Sequence, residues 1–148
     1  MQTFLPYEDF SESAKVLDRL RLGKQRVETF QIAKVVSGVS SGWKNHPAVL
    51  MWMGHPEALL AYQAAVCHEW TGRGYLDTCL EKTFDVLGVD FVLQNELFLD
   101  LVPSWLGHPD LHISHQSNLL RKNESWYRQF FPDVSPGMPY VWPIQRLK

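Results

Sequence analysis

Apolar residues recur at helical spacing through most of the chain. In residues 12–36, Leu17, Leu20, Val27 and Phe30 fall near a 3.6-residue period, and Gly38 suits the stop. Ser11 is the expected N-cap, Glu12 lies in the first turn, and Gly23 is the weak point. A Ser- and Gly-rich loop over 37–45 follows, then His46-Pro47 opens a short apolar segment, 48–53. His55-Pro56-Glu57 starts the clearest helix. Pro56 suits the first helical position, Glu57 favours the positive end of the helix dipole, and Gly72 or Gly74 ends it. Leu59, Leu60, Ala64, Val66 and Trp70 form its apolar stripe.

Two further helical stretches are expected at 76–87 and 89–101. In the second, β-branched and aromatic residues make a strand a competing reading. Residues 103–113 read as a loop, Ser114 as the cap of a helix through Lys122, and Ser125 as the cap of 126–131. Residues 1–10 read as an extended leading segment fixed locally by Pro6. The tail, 132–147, carries four prolines and cannot be a regular helix, so it is stable only if Tyr140, Val141 and Trp142 pack. With no repeat and no linker, the expectation is one all-α domain of 148 residues, large enough to bury a core unaided.

Charge narrows the partners. A net charge of −2 and a pI near 6.3 count against nucleic acid, because phosphate binding usually leaves a basic footprint. The one locally basic stretch is in the first helix. Lys15, Arg19, Arg21, Lys24 and Arg26 place five cations in twelve positions, with Asp18 among them. On a helix Arg21, Lys24, Gln25 and Glu28 share one face, and Lys15, Arg19, Leu22 and Arg26 share another. One reading is a solvated face stitched by Lys24 and Glu28. The other is a carboxylate held among phosphate-clamping cations, able to stabilise a cationic sugar or to move protons.

Six Trp leave aromatics that, if exposed beside a groove, would stack on bases; Trp126, Tyr127, Tyr140 and Trp142 more readily pack the tail. The polar run 114–122 offers a phosphate-binding helix start as the alternative to ordinary capping. The six histidines show no metal-ligand spacing, and Cys67 and Cys79 read as buried thiols, so no metal and no cofactor are expected. The chain shows no signal peptide and no spanning segment, which makes the cytoplasm the default location.

Four blocks then fall in a familiar order: 22–30, 55–75 with its Arg73-Gly74-Tyr75 ending, 114–131 with Trp126-Tyr127, and Tyr140-Val141-Trp142-Pro143. In order and spacing this resembles the pyrimidine-dimer DNA glycosylases of the phage endonuclease V type. It is also similar to their bacterial and phage relatives of unassigned role that begin Met-x-Thr-Phe-Leu-Pro-Tyr. The resemblance implies a compact all-helical fold and excision of a damaged base from double-stranded DNA, with or without abasic-site lyase activity. It implies attack by the α-amine of the processed N-terminus, assisted by a glutamate that maps onto Glu28. Arg26, and then Arg19, Arg21 and Lys24, would hold phosphates, with Gln116, Arg121 and Lys122 as further backbone contacts. No obligate protein partner is implied.

The chain departs from that pattern at residue 2. The family exposes its amine by losing Met before a small Thr, whereas the bulky Gln2 leaves Met1 in place. Three outcomes stay open: the Met1 amine serves directly, the enzyme is hydrolytic without an imine, or the fold carries no lyase chemistry. A non-catalytic helical DNA-binding protein and an enzyme of small nucleotides are the alternatives.

Overall fold

The computed structural model describes residues 1–88 and 102–143. Among these residues there are seven helices and no strand: α1 (Phe10–Val16), α2 (Arg19–Val36), α3 (Pro47–Leu50), α4 (Pro56–Gly72), α5 (Cys79–Leu87), α6 (Pro109–Lys122) and α7 (Glu124–Tyr127). The all-α expectation holds; the stretch 89–101 lies outside the described residues. Helices α2, α4 and α5 pack on one another, α1 lies on α4, and α7 lies on α6. Leu22 and Ile32 from α2, Leu59 and Tyr62 from α4, Leu119 and Leu120 from α6, and Trp52 are fully buried at the centre. No described helix is long and apolar enough to cross a membrane.

The helix expected over 12–36 is broken, and not at Gly23. Leu17 and Asp18 are extended, with ψ of 133° and 161°. The break is held from α7: the Asp18 N–H donates to the Tyr127 hydroxyl at 3.0 Å, and that hydroxyl donates to Asp18 Oδ1. Asp9, not Ser11, caps α1, its Oδ1 accepting from the Glu12 N–H at 2.9 Å. Gly23 is a close-packing position, where a Cβ would stand 3.0 Å from the Trp70 ring.

Helix α6 starts before Ser114, because Pro109 supplies the same first-position signal as Pro56. Ser114 is therefore inside the helix, its Oγ donating to the Leu111 carbonyl at 2.8 Å. The free amides expected at a helix start over 114–118 are already bonded within α6. The polar side chains there hold the tail instead. Ser117 Oγ donates to the Ser135 carbonyl at 2.5 Å, Asn118 Nδ2 donates to the Met138 carbonyl at 3.0 Å, and the Val141 N–H donates to Ser114 Oγ at 3.1 Å. Asn123 rather than Ser125 caps α7.

The leading segment is the unusual part. Gln2 through Pro6 are buried although no helix or sheet satisfies their backbone. Side chains from three helices do so instead, and Trp52 of the α3–α4 turn holds the Thr3 side chain. Gln25 bridges the segment, donating to the Gln2 carbonyl at 2.6 Å and accepting from the Phe4 N–H at 3.0 Å. Trp52 donates to Thr3 Oγ1 and Tyr62 donates to the Phe4 carbonyl. His115 Nδ1 accepts from the Leu5 N–H, and Gln116 donates to the Pro6 carbonyl. The Gly107 N–H donates to His112 Nε2, so His112 carries its proton on Nδ1 and donates to the Leu5 carbonyl at 2.7 Å. Leaving any one of these buried groups unpaired would cost ~1–3 kcal/mol. Burial, reinforced by His112, pushes the His115 pKa down to about 3, so its ring stays neutral.

Candidate active site

The anchored segment delivers residue 1 to a cleft of about 250 Å³. The segment itself contributes Met1, Gln2 and Phe4. Helix α2 contributes Leu20, Arg21, Lys24 and Glu28; α6 contributes Lys122, and the tail contributes Tyr140. One face of α2, the one bearing Arg21, Lys24 and Glu28, thus meets the amino terminus, while Gln25 on the same face holds the segment that carries it.

Charge in the cleft is weakly compensated. Arg21 Nη1 is paired with Asp18 Oδ2 at 3.2 Å. The pair Lys24–Glu28 is not closed: among the described residues neither side chain has an ion-pair partner within 4.0 Å. One carboxylate therefore faces three cationic side chains and the terminal amine. Tyr140 registers the field. Burial raises its pKa, Arg121 and the Gln2 amide oppose that rise, and Glu28 adds to it. His46 lies within electrostatic reach of the amine. Burial lowers its pKa and the ammonium of residue 1 lowers it further. Its Nδ1 accepts from the Ala48 N–H at 3.0 Å, which fixes the ring at the start of α3.

The remaining residues singled out in the sequence go elsewhere. Arg26 is turned to the opposite side of α2. Its Nη1 pairs with Asp77 Oδ1 at 2.5 Å, and its guanidinium carbon lies 4.5 Å from the Trp70 ring centroid. Burial would raise the Asp77 pKa, but donation from the Leu80 N–H, Arg26 and the Cys79 N–H outweighs it, and the carboxyl lies below its ordinary range. Arg19 is exposed on α2 and does not line the cleft. Gln116 tethers Pro6, and Arg121, exposed, donates to Asn118 Oδ1 within electrostatic reach of Tyr140.

Phe4 was not legible as a site residue, because it owes its place to Gln25 and Tyr62, far away in sequence. Trp43 was also missed. This residue is 61% exposed in the loop before α3, its φ is +68°, and its ring meets the His46 ring edge-on at 5.8 Å. A larger cavity of about 440 Å³ between α4 and α5 is mostly apolar and presents Asp77 and Glu81, a poor match for phosphate. The described residues contain no group of three or more metal-ligating side chains.

Comparison with known proteins gives one match. No curated protein and no solved structure matches the chain. Residues 1–83 match the family model for pyrimidine dimer DNA glycosylase, a stretch that contains the anchored segment, all of α2 and the cleft residues up to Glu28. Since that match covers more than half of the 148 residues, the chain belongs to the pyrimidine dimer DNA glycosylase family.

Proposed function

We propose that the protein removes a damaged or modified base from double-stranded DNA and then cleaves the abasic strand, with the Met1 α-amine as nucleophile and Glu28 as the assisting carboxylate. The observation that carries this reading is the anchoring of residues 2–6. Six side chains bond to that segment and bring residue 1 into a cleft with Glu28. A terminus of only structural use needs no such placement. Residue 1 lines the cleft with Glu28, which is why this reading assigns the attack to its amine.

The chemistry balances with these groups. The lone pair of the neutral amine forms a bond to sugar C1′ while the glycosidic C–N bond breaks. The base leaves with that electron pair and takes a proton. Glu28 offsets the charge that develops on the sugar and accepts the proton lost from the amine nitrogen. The C1′–O4′ bond then opens, O4′ is protonated, and nitrogen and C1′ are joined as an imine. Loss of a C2′ proton expels the 3′ phosphate with its electron pair, and water releases the protein from the cleaved strand. Arg21, Lys24 and Lys122 hold backbone phosphates at the cleft. Trp43, exposed beside His46, offers a face for stacking.

Borohydride reduction during incubation with abasic duplex DNA should give a covalent complex whose cross-link maps to Met1, and acetylation of the terminus should abolish it. Glu28→Gln should lower base release by ~10²–10⁴-fold while affinity for a duplex with an uncleavable abasic analogue is kept. Base release without trapping would replace the imine with hydrolysis. Unchanged turnover in Glu28→Gln would assign the role to another carboxylate. Salt-dependent DNA binding with neither release nor trapping would leave a non-catalytic DNA-binding protein.

A further inference from the structure

One residue of the loop before α3 stands apart on two counts. Trp43 is 61% exposed, and among the described residues it is the only one besides glycine with a positive φ, +68°. A single exposed apolar side chain on a surface is ordinary, but a bulky one held in the left-handed region is not. Nor is the turn slack. The Trp43 carbonyl accepts from the His46 N–H at 2.9 Å, and the His46 ring, itself fixed by the Ala48 N–H, meets the indole edge-on. Backbone strain of this kind persists only where the surroundings hold it, and it clusters at positions that contact a ligand.

The surroundings say which ligand. Trp43 begins a line of ring contacts that ends at the cleft: Trp43 to His46 at 5.8 Å, His46 to Trp142 at 6.1 Å, and Trp142 to Tyr140 at 5.5 Å, with Tyr140 in the cleft wall. Charge points the same way. In a chain of net charge −2, residues 29–56 contain no Asp or Glu. Lys44, next to the indole, is exposed and has no ion-pair partner within 4.0 Å among the described residues. An open indole beside a free cation on an acid-free stretch matches a nucleic-acid strand, the ammonium meeting a phosphate and the ring a base. Paired bases are stacked on one another, so the base that the indole can take is one that has lost its place in the helix.

On the reading that this cleft is the base-excision site, we propose that Trp43 stacks on a nucleobase left unpaired beside the cleft, so that the loop 37–45 makes the protein favour DNA whose pairing is interrupted. Trp43 is then a specificity residue for the opened helix. It does not read which base is present, since every base offers a π-face, and it takes no part in bond making or breaking.

The test compares two duplexes of equal length, one fully paired and one interrupted by a short run of opposed thymines. Trp43→Ala and Trp43→Phe change an exposed side chain and should keep the fold, with the thermal midpoint as the check. Trp43→Ala should weaken binding to the interrupted duplex by ~5–100-fold, the amount that one base–aromatic stack supplies. Binding to the paired duplex should stay within about threefold, because backbone contacts are untouched. Trp43→Phe should keep most of the preference. Unchanged binding of the interrupted duplex by Trp43→Ala, or an equal loss on both duplexes, would overturn the assignment. Independently of catalysis, single-stranded oligothymidylate should quench the tryptophan emission of the protein, and Trp43→Phe should remove that quenching. Quenching that persists in Trp43→Phe would give the stack to another indole. A blue shift with phosphatidylserine vesicles and no response to the oligonucleotide would make the loop a membrane contact instead. Quenching at Trp43 in a protein that neither traps abasic DNA nor releases a base would keep the stacking loop while discarding the glycosylase reading.

Discussion

The two sides of α2 carry the same residue types and do opposite things with them. Toward α4 and α5, Arg26 is enclosed: Asp77 takes its charge, Trp70 covers it, and the Gln63 amide bonds to its own carbonyl. Toward the cleft, Lys24 and Glu28 remain unpaired among the described residues, and only Arg21 has an acidic neighbour, Asp18. Spacing along the helix does not separate these fates. What packs opposite does, since a buried guanidinium without its carboxylate is untenable, whereas a solvated cation costs little to leave available for phosphate.

The largest effect is expected where the charge is enclosed. Arg26→Met strands the buried Asp77 carboxylate and should cost ~3–5 kcal/mol of stability, read as a drop in the urea midpoint. At a temperature where the variant is still folded, affinity for the abasic-analogue duplex and its salt dependence should match the unmodified protein. A reduced salt slope with unchanged stability would reverse the roles of the two sides.

Acid separates the enclosed charge from the anchored segment. His115 is neutral in the fold, with its pKa near 3 against an ordinary 6.5. Below about pH 6.5 the unfolded chain binds a proton that the folded protein refuses, so stability falls as pH falls, down to about pH 3. The slope is at most ~1.4 kcal/mol per pH unit. The Arg26–Asp77 pair titrates only below the ordinary carboxylate range and should persist through the upper part of that window. His115→Gln, which keeps an acceptor for the Leu5 N–H, should lose stability at pH 7 but flatten the dependence between pH 7 and 5. An equally steep profile in the variant would assign the acid sensitivity to other groups.

Local signals in the sequence were legible. Pro56 and Glu57 mark the start of α4, and the spacing of Arg21, Lys24 and Glu28 puts them on the face that borders the cleft. What failed depended on distant partners. Arg26 resembles a phosphate clamp until Asp77, 51 residues on, takes it. The leading segment looks like a simple extended stretch until His115, 110 residues from Leu5, bonds to it. Ser114 has the composition of a cap, but Pro109 starts the helix earlier and turns the serine into an attachment point for the tail. Local chemistry set the helices, and long-range hydrogen bonding decided which polar residues were left for function.

Lys24→Ala is the smallest effect and the sharpest test of the contrast. Lys24 is exposed, borders the cleft, and also borders a depression along α2 lined by Gly23, Val27, Glu28 and Gln31. With no ion pair to lose and a better helix former in its place, stability should move by less than ~0.5 kcal/mol. If its ammonium neutralises one phosphate, the slope of log affinity against log salt for the abasic-analogue duplex should decrease in magnitude by about 1. The loss should be similar for duplexes of different sequence, because a phosphate contact positions the backbone without reading bases. The mirror change, Arg19→Ala, removes an exposed cation of the same helix from outside the cleft and should leave that slope unaltered. Equal slopes for both variants would mean that DNA follows the outer surface of α2 as a whole, and that the cleft face has no special claim on it.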